Sequence, residues 1–437
     1  MQRNSNSTIS LNNMLDRSLP PSVQSVPFVF RKPTVQHLSN GIPVHIIDAT
    51  GIDAVRIDFV FGAGQWHQVQ NLQALFTCRM LREGCRGYSA SAFAERMDFY
   101  GAWLELSVAK NRTFVTLYTL RKFFDHTIAL LHNMLLEPTF SEEQLDIIRN
   151  NNKAQFLINI QKGHVRALRT VRQNIFGCQH PCGMQAEATD YDNLHAQLLV
   201  DYYQRYYGSR NCAIYLSGCV DEGVVAQVER LFGTAEWGSG SPAVDEPYAI
   251  TPSEEHITTI IQPNAVQSSI CMGSLLMDVH DNDYLSMRVL TTVLGGYFGS
   301  RLMKNVREEK GYTYHIGADL VTNTSQVVFS IGCEALADKA NEVIDEVRNE
   351  MYRLQHDLVC NAELQMVRNY MTGEICRNYE GSFALADAYI YLEHLDLPQS
   401  HLEQTLEAIR TTDAVRIQQL AKQYLDPDTL YIAVVKP

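Results

Sequence analysis

The chain repeats itself. Leu145–Asn150 (LDIIRN) and Leu364–Asn369 (LQMVRN) share one pattern, at an offset of 364 − 145 = 219. Tyr206 opens YYGSRNCAIYLSG and Tyr424 opens YLDPDTLYIAVV, at an offset of 424 − 206 = 218. Two separate landmarks therefore agree on a shift of about half of the 437 residues. Self-similarity at one fixed shift is the mark of a duplicated unit, and this length allows two to four domains. Residues 1–30 read as a polar extension closed by Pro20 and Pro21, 31–236 as a first repeat and 250–437 as a second. Between them, 237–249 reads as a linker, because Trp237–Asp245 (WGSGSPAVD) is rich in Gly, Ser and Pro.

Within the first repeat the apolar period alternates between two and 3.6. VQHLSNGIPVHIID, from Val35, predicts two strands joined at Asn40-Gly41, and AVRIDFVFGAG, from Ala54, predicts another. LQALFTCRMLREG, from Leu72, predicts a helix stopped by Gly84. A helix over 90–100, strands within 102–120 and a helical stretch to about Leu136 follow. Strands and helices mixed this way predict an α+β fold in two tandem homologous domains, each a mostly antiparallel sheet packed with helices.

Composition removes several functions. The 36 Lys and Arg against 49 Asp and Glu give a net charge of −13, which a phosphate backbone or an anionic bilayer repels. Nucleic acid is excluded as a partner. No run of apolar residues is long enough to span a membrane, and the polar N-terminus has no apolar signal core. Ten scattered cysteines without a CxxC pair, several inside apolar runs, indicate reduced thiols and a cytoplasmic setting.

Leu294–Leu320, LGGYFGSRLMKNVREEKGYTYHIGADL, resembles the C-terminal-half motif of the pitrilysin/insulinase-type zinc peptidases, whose halves are duplicated α+β units. The resemblance runs from about Val35 to the end and takes in NLQALFTCRMLREG, EPTFSEEQL and YYGSRNCAIYLSG. Members with activity carry H-x-x-E-H on a helix. Its two histidines, four apart on one face, hold zinc, the Glu polarises the bound water, and a third ligand comes from a later helix. Here the first His position falls at Ala74, and the base and second His positions at Thr77 and Cys78. Anchoring on Gly84 instead gives Leu75, Cys78 and Arg79. The third-ligand position, counted back from Phe176-Gly177, falls at Gln155. No register restores a zinc site, so no metal is expected on this chain.

Other metal-ligating types are scattered. Cys178, His180 and Cys182 fit no common zinc spacing, and predict a loop with two buried thiols and a surface His; His195 follows them. His126 and His132 lie six apart, His67 reads as a loop residue, and Glu393-His394 is too short a motif to carry meaning.

The second repeat keeps other chemistry. The resemblance implies that Tyr314 donates a hydrogen bond to a substrate carbonyl as it becomes an oxyanion, and that Arg307, seven residues earlier, aids binding. Gly295, Gly296 and Gly299 would let a peptide backbone approach, and His315–Val321 would flank the chamber. Peptide binding in such proteins resembles strand addition to a sheet edge, with the stretch after Gly62 (Ala63, Gly64, Gln65) as the corresponding edge. The implied function is a zinc-less subunit that binds peptide and supplies Arg307 and Tyr314 to a zinc-bearing homologous partner, as a heterodimer or a homodimer. A peptide-binding or scaffold protein without a catalytic partner, and a peptidase acting through an unrecognised metal site, are the alternatives.

Overall fold

The computed structural model describes residues 29–437 apart from 50, 243, 245, 246 and 323. Nearly all of the expected N-terminal extension lies outside the described residues. Residues 31–437 form one compact unit.

The first repeat supplies β1 (Thr34–His37), β2 (Pro43–Asp48), β3 (Ala54–Phe61), β4 (Trp103–Val108), β5 (Thr113–Leu120) and β6 (Cys212–Gly218). Its helices are α1 (Gln73–Met80), α2 (Ala90–Phe99), α3 (Phe124–Leu136), α4 (Glu142–Asn159), α5 (Gly163–Phe176) and α6 (Ala196–Tyr206). The second supplies β7 (Ile257–Ile261), β8 (Gln267–Asp278), β9 (Thr313–Thr322), β10 (Gln326–Leu336) and β11 (Tyr431–Lys436). With them come α7 (Tyr284–Gly295), α8 (Ala340–His356), α9 (Asn361–Asn378), α10 (Ser382–His394), α11 (His401–Thr411) and α12 (Ala414–Tyr424).

Apart from β1, the two sheets have one topology. The first runs β1-β2-β6-β3-β5-β4 and the second, read from its opposite end, β7-β11-β8-β10-β9. In each, one pair is parallel, β2 with β6 and β7 with β11, and the remaining pairs are antiparallel. The offset in the sequence reappears as matched helices. From α4 to α9 both ends shift by 219 (361 − 142 and 378 − 159), and α10 begins 219 residues after α5 (382 − 163). The fold is α+β with two homologous sheets.

Local chemistry places these elements. Gly41, at φ 92°, turns β1 into β2 with Leu38 N–H bonded to the Ile42 carbonyl, the expected hairpin. Glu142 and Glu143 in the first turn of α4 sit at the positive end of its dipole. On β3, Val55, Ile57, Phe59 and Phe61 enter the first core, while Arg56 and Asp58 point to the opposite face. One boundary differs from expectation. The helix from Gln73 stops at Met80, and Gly84 (φ 130°) opens an extended segment instead, its carbonyl accepting from Thr139 N–H. Trp237, at the first position of the expected linker, is buried in the first core.

The repeats trade helices. α5 of the first lies on β8 and β11 of the second sheet, where Ala167, Val171 and Ile175 meet Cys271, Val328, Ala433 and Val435. α10 of the second lies on β2 and β6 of the first sheet. There Glu393 accepts from the Tyr215 hydroxyl and pairs with His45 Nε2 at 3.4 Å, and the Phe383 carbonyl accepts from Arg56 at 3.1 Å.

Two predictions follow from this packing. A Cβ on Gly295, at the end of α7, would lie 2.5 Å from Ala318 Cβ and 2.6 Å from Ala318 N on β9. Gly295→Ala is expected to lower the urea-unfolding free energy by about 1–3 kcal/mol, the usual cost of overpacking; an unchanged midpoint refutes the close approach. His401 is buried against Tyr284, and burial first, then the charges of Arg288 and His280, push its pKa down to about 4. The folded state therefore resists a proton that the unfolded chain accepts near its ordinary pKa of about 6.5. This group's contribution is complete above that value and is lost as pH falls toward 4. His401→Gln should flatten that part of the stability–pH curve by up to about 3 kcal/mol, measured by denaturant melts across the window.

Candidate functional site

α1 is held from behind by α6. Gln73 Nε2 donates to the Leu198 carbonyl at 2.9 Å, and Thr77 Oγ1 donates back to the Gln73 carbonyl at 2.8 Å. Ala74, Thr77 and Cys78 are fully buried on this side. Burial pushes the Cys78 thiol up to about 12, leaving it a packed, protonated group. These positions therefore face the core and not an open site. The other register behaves differently. Leu75 lines a cleft, and Arg79 donates to Asn152 Oδ1 of α4. Gln155, by contrast, is exposed and bonded along its own helix to Asn159, so the residue of α4 that α1 reaches is Asn152. Where the two helices meet, a guanidinium already stands, and a second cation would be repelled.

The scattered ligand types are used in packing. His180 reverses the expected loop: it is 2% exposed, Cys182 is buried and Cys178 is exposed. Its ring stacks on Phe176 at 4.8 Å and meets Trp66 edge-on at 5.4 Å, and its Nδ1 accepts from Cys182 N–H, contacts from chain neighbours and from distant residues alike. His195 caps α6 by accepting from Leu198 N–H, His126 stacks on Tyr100, His132 abuts Phe232, and the half-buried His67 leans on Tyr206. Among the described residues no group of three or more His, Cys, Asp or Glu could hold a metal ion.

The glycine-rich segment after α7 has a packing reason for Gly295, whose missing side chain admits Ala318 of β9. Gly296 and Gly299 lie tight against Thr292 and the Tyr297 ring of their own segment. Arg301 then anchors the segment to α9 with two hydrogen bonds to Glu363, 2.9 and 3.0 Å. A π-helical turn over Met303–Glu309 and Gly311 (φ 67°) lead into β9. This path brings Arg307 and Tyr314 together: the guanidinium carbon lies 5.3 Å from the Tyr314 ring and 4.5 Å from the Phe298 ring. Tyr314 is 83% exposed, so its hydroxyl is open to solvent at the rim of a 550 Å³ cleft. Gly317 and Gly332 face one another across β9 and β10 in that cleft, which keeps its floor clear of side chains.

Ala63 and Gly64 do not form a free edge. Ala63 is buried, and the backbone N–H and C=O groups of both are engaged within the protein, including Thr113 Oγ1 on the Ala63 carbonyl and Tyr202 on the Gly64 carbonyl. A Cβ on Gly64 would strike the 109–112 backbone. Gln65 lies with them, its N–H bonded to the Ala109 carbonyl. The sheet edges nearest the candidate residues are β4 and β9, equivalent strands of the two sheets, each bonded on one side only.

No helix of the described residues is long and apolar enough to cross a membrane. The profile of the peptidase M16 inactive domain matches residues 193–371. The "Uncharacterized zinc protease YmxG" of Bacillus subtilis is 21% identical over 91% of this chain and 97% of its own length. The "Non-peptidase homolog YmxG" of Helicobacter pylori is 23% identical over 82% of each. A crystal structure of a peptidase M16 inactive domain from Pseudomonas fluorescens superposes with a TM-score of 0.82 at 21% identity, covering 93% of this chain and 98% of that one. The chain is thus similar in fold to an M16 inactive-domain structure along most of its length, and the peptidase M16 inactive domain matches its residues 193–371.

Proposed function

We propose that this chain is a zinc-less, non-catalytic M16-type subunit that binds extended peptide and lends Tyr314 and Arg307 to a zinc-bearing homologous partner. One observation carries the reading. The repeat that would grip metal has core residues and a guanidinium at its ligand positions, while the other repeat holds a solvent-facing Tyr beside an Arg at the mouth of a cleft. An exposed phenol fixed by its neighbours is a preorganised donor, and such a donor is worth most where charge develops on a carbonyl oxygen in a water-poor site. Arg307 holds the ring from one side and adds positive charge near that oxygen. The edge of β9, which carries Tyr314, offers main-chain groups to an extended peptide. We place the pairing in a reducing, cytoplasmic setting, which the ten free cysteines support. The two repeats, 31–236 and 250–437, would form one half of the assembly, with the partner, or a second copy, as the other.

The name of the Helicobacter relative favours a second reading, a peptide-binding or scaffold protein with no catalytic partner. Mixing separates the two. With a homologous chain bearing H-x-x-E-H, a quenched peptide should be cleaved only by the mixture, and Tyr314→Phe should lower that rate about 100-fold or more while complex formation, followed by size-exclusion chromatography, persists. An unchanged rate with Tyr314→Phe removes the role of Tyr314; no activity in any mixture leaves the scaffold reading.

A further inference from the structure

A second cleft, of 630 Å³, lies between the polar face of the first sheet and helices α5 and α10. Its charges are segregated. At one end Arg56 donates to Asp58 Oδ1 through Nε (3.1 Å) and Nη2 (2.8 Å) and also meets Asp387, while Thr116 Oγ1 donates to the same Asp58 oxygen at 2.6 Å. Asp58 is 1% exposed, and its Oδ2 is buried with no hydrogen-bond partner among the described residues. Two carboxyl groups thus meet one guanidinium and Glu105 also lines the cleft, so acidic groups outnumber basic ones at this end; burial pushes the Asp58 carboxyl up, and Arg56 opposes that.

The other end is net positive. Lys110 Nζ donates to two neutral acceptors, Gln65 Oε1 at 2.9 Å and the Pro181 carbonyl at 2.7 Å. Arg172 of α5 stands beside it, and among the described residues neither forms an ion pair with a carboxylate. Burial pushes the Lys110 ammonium down, and the Arg172 charge pushes it further. A smaller cleft of 210 Å³ shares Gln65, Lys110 and Arg172, adds Arg169 and, among the described residues, has no acidic lining residue. Two partly buried cations without a counter-charge are costly, and an entering anion relieves both.

The two ends are separated along the sheet. Asp58 pairs with Thr116 on β5, and Thr113 lies three residues further along, about 10 Å at the strand rise. Lys110 sits in the turn just beyond. The two ends are therefore more than about 10 Å apart along the sheet, a span that an extended peptide of three or more residues covers.

We propose that this cleft binds a short peptide with free ends, its ammonium on Asp58 Oδ2 and its terminal carboxylate on Lys110 and Arg172. The ligand's dipole runs opposite to that of the cleft, so each charged end meets its complement, and a lone anion satisfies only one end. The site belongs to this chain alone and does not rest on the role given to Tyr314.

Isothermal titration of the full chain with trialanine, N-acetyl-trialanine, trialanine amide and inorganic phosphate tests the proposal. Trialanine should bind saturably, and blocking either end should weaken it about tenfold or more, the worth of a charge-assisted hydrogen bond. Arg172→Gln and Lys110→Gln should weaken trialanine by a similar factor while leaving trialanine amide unchanged. Asp58 is too deeply bonded to Arg56 for substitution to be informative, so the acetylated peptide probes that end without altering the protein. Equal binding of blocked and free peptides, phosphate binding as tightly as trialanine, or no saturation by about 10 mM overturns the proposal. Because Tyr314 does not line this cleft, failure here is distinguishable from failure of the Tyr314 reading in the mixing assay.

Discussion

The exchange of helices between the two repeats is the constraint on which everything else depends. α5 leaves the first repeat to cover the second sheet, and α10 returns the cover to the first. Burial of apolar surface drives both contacts, and neither sheet has its full cover without the other repeat. The duplication is thereby locked into one compact unit, and the clefts form along the seam. α5 lines both, presenting His164 and Leu168 beside Tyr314 and Arg172 in the charged cleft, residues four apart on one helical face.

The two repeats carry different side-chain chemistry on the same scaffold. In the first, α1 is a packing element, because Ala74, Thr77 and Cys78 serve the core that α6 completes. Its other face carries a cation: Arg79 reaches across to Asn152. In the second, the segment from Gly295 to Tyr314 retains the close helix–strand approach that sets Arg307 against the Tyr314 ring.

Much of the fold was legible because its signals are local. The Asn40-Gly41 hairpin needs only a left-handed residue between alternating runs, and the 219-residue offset emerges as α4 and α9 of equal length. The candidate site was legible in part. Arg307 and Tyr314, singled out at a spacing of seven, approach one another, and the absence of an H-x-x-E-H run is visible as letters in the sequence. What failed was environment. His180 reads as a surface loop residue, yet distant Trp66 covers it; Ala63 and Gly64 read as an edge, yet the 109–112 turn and Tyr202 occupy their backbone. The Asp58 site gave no signal at all. A single Asp in an apolar strand acquires meaning only from Thr116, Arg56 and, more than three hundred residues away, Asp387.

The sequence by itself determined the duplication, the alternation of strand and helix periods, and the absence of a metal-gripping motif, for each depends on residue identity at short spacing or on one fixed shift. Only the tertiary structure decided which helix covers which sheet, which face of α1 is interior, and where charge is left without a partner. The physical reason is range. Backbone geometry responds to neighbours a few residues away, but desolvation and charge pairing are settled by whatever the fold brings alongside, from distant parts of the same repeat, as Trp66 at His180, or from the opposite one, as Asp387 at Arg56.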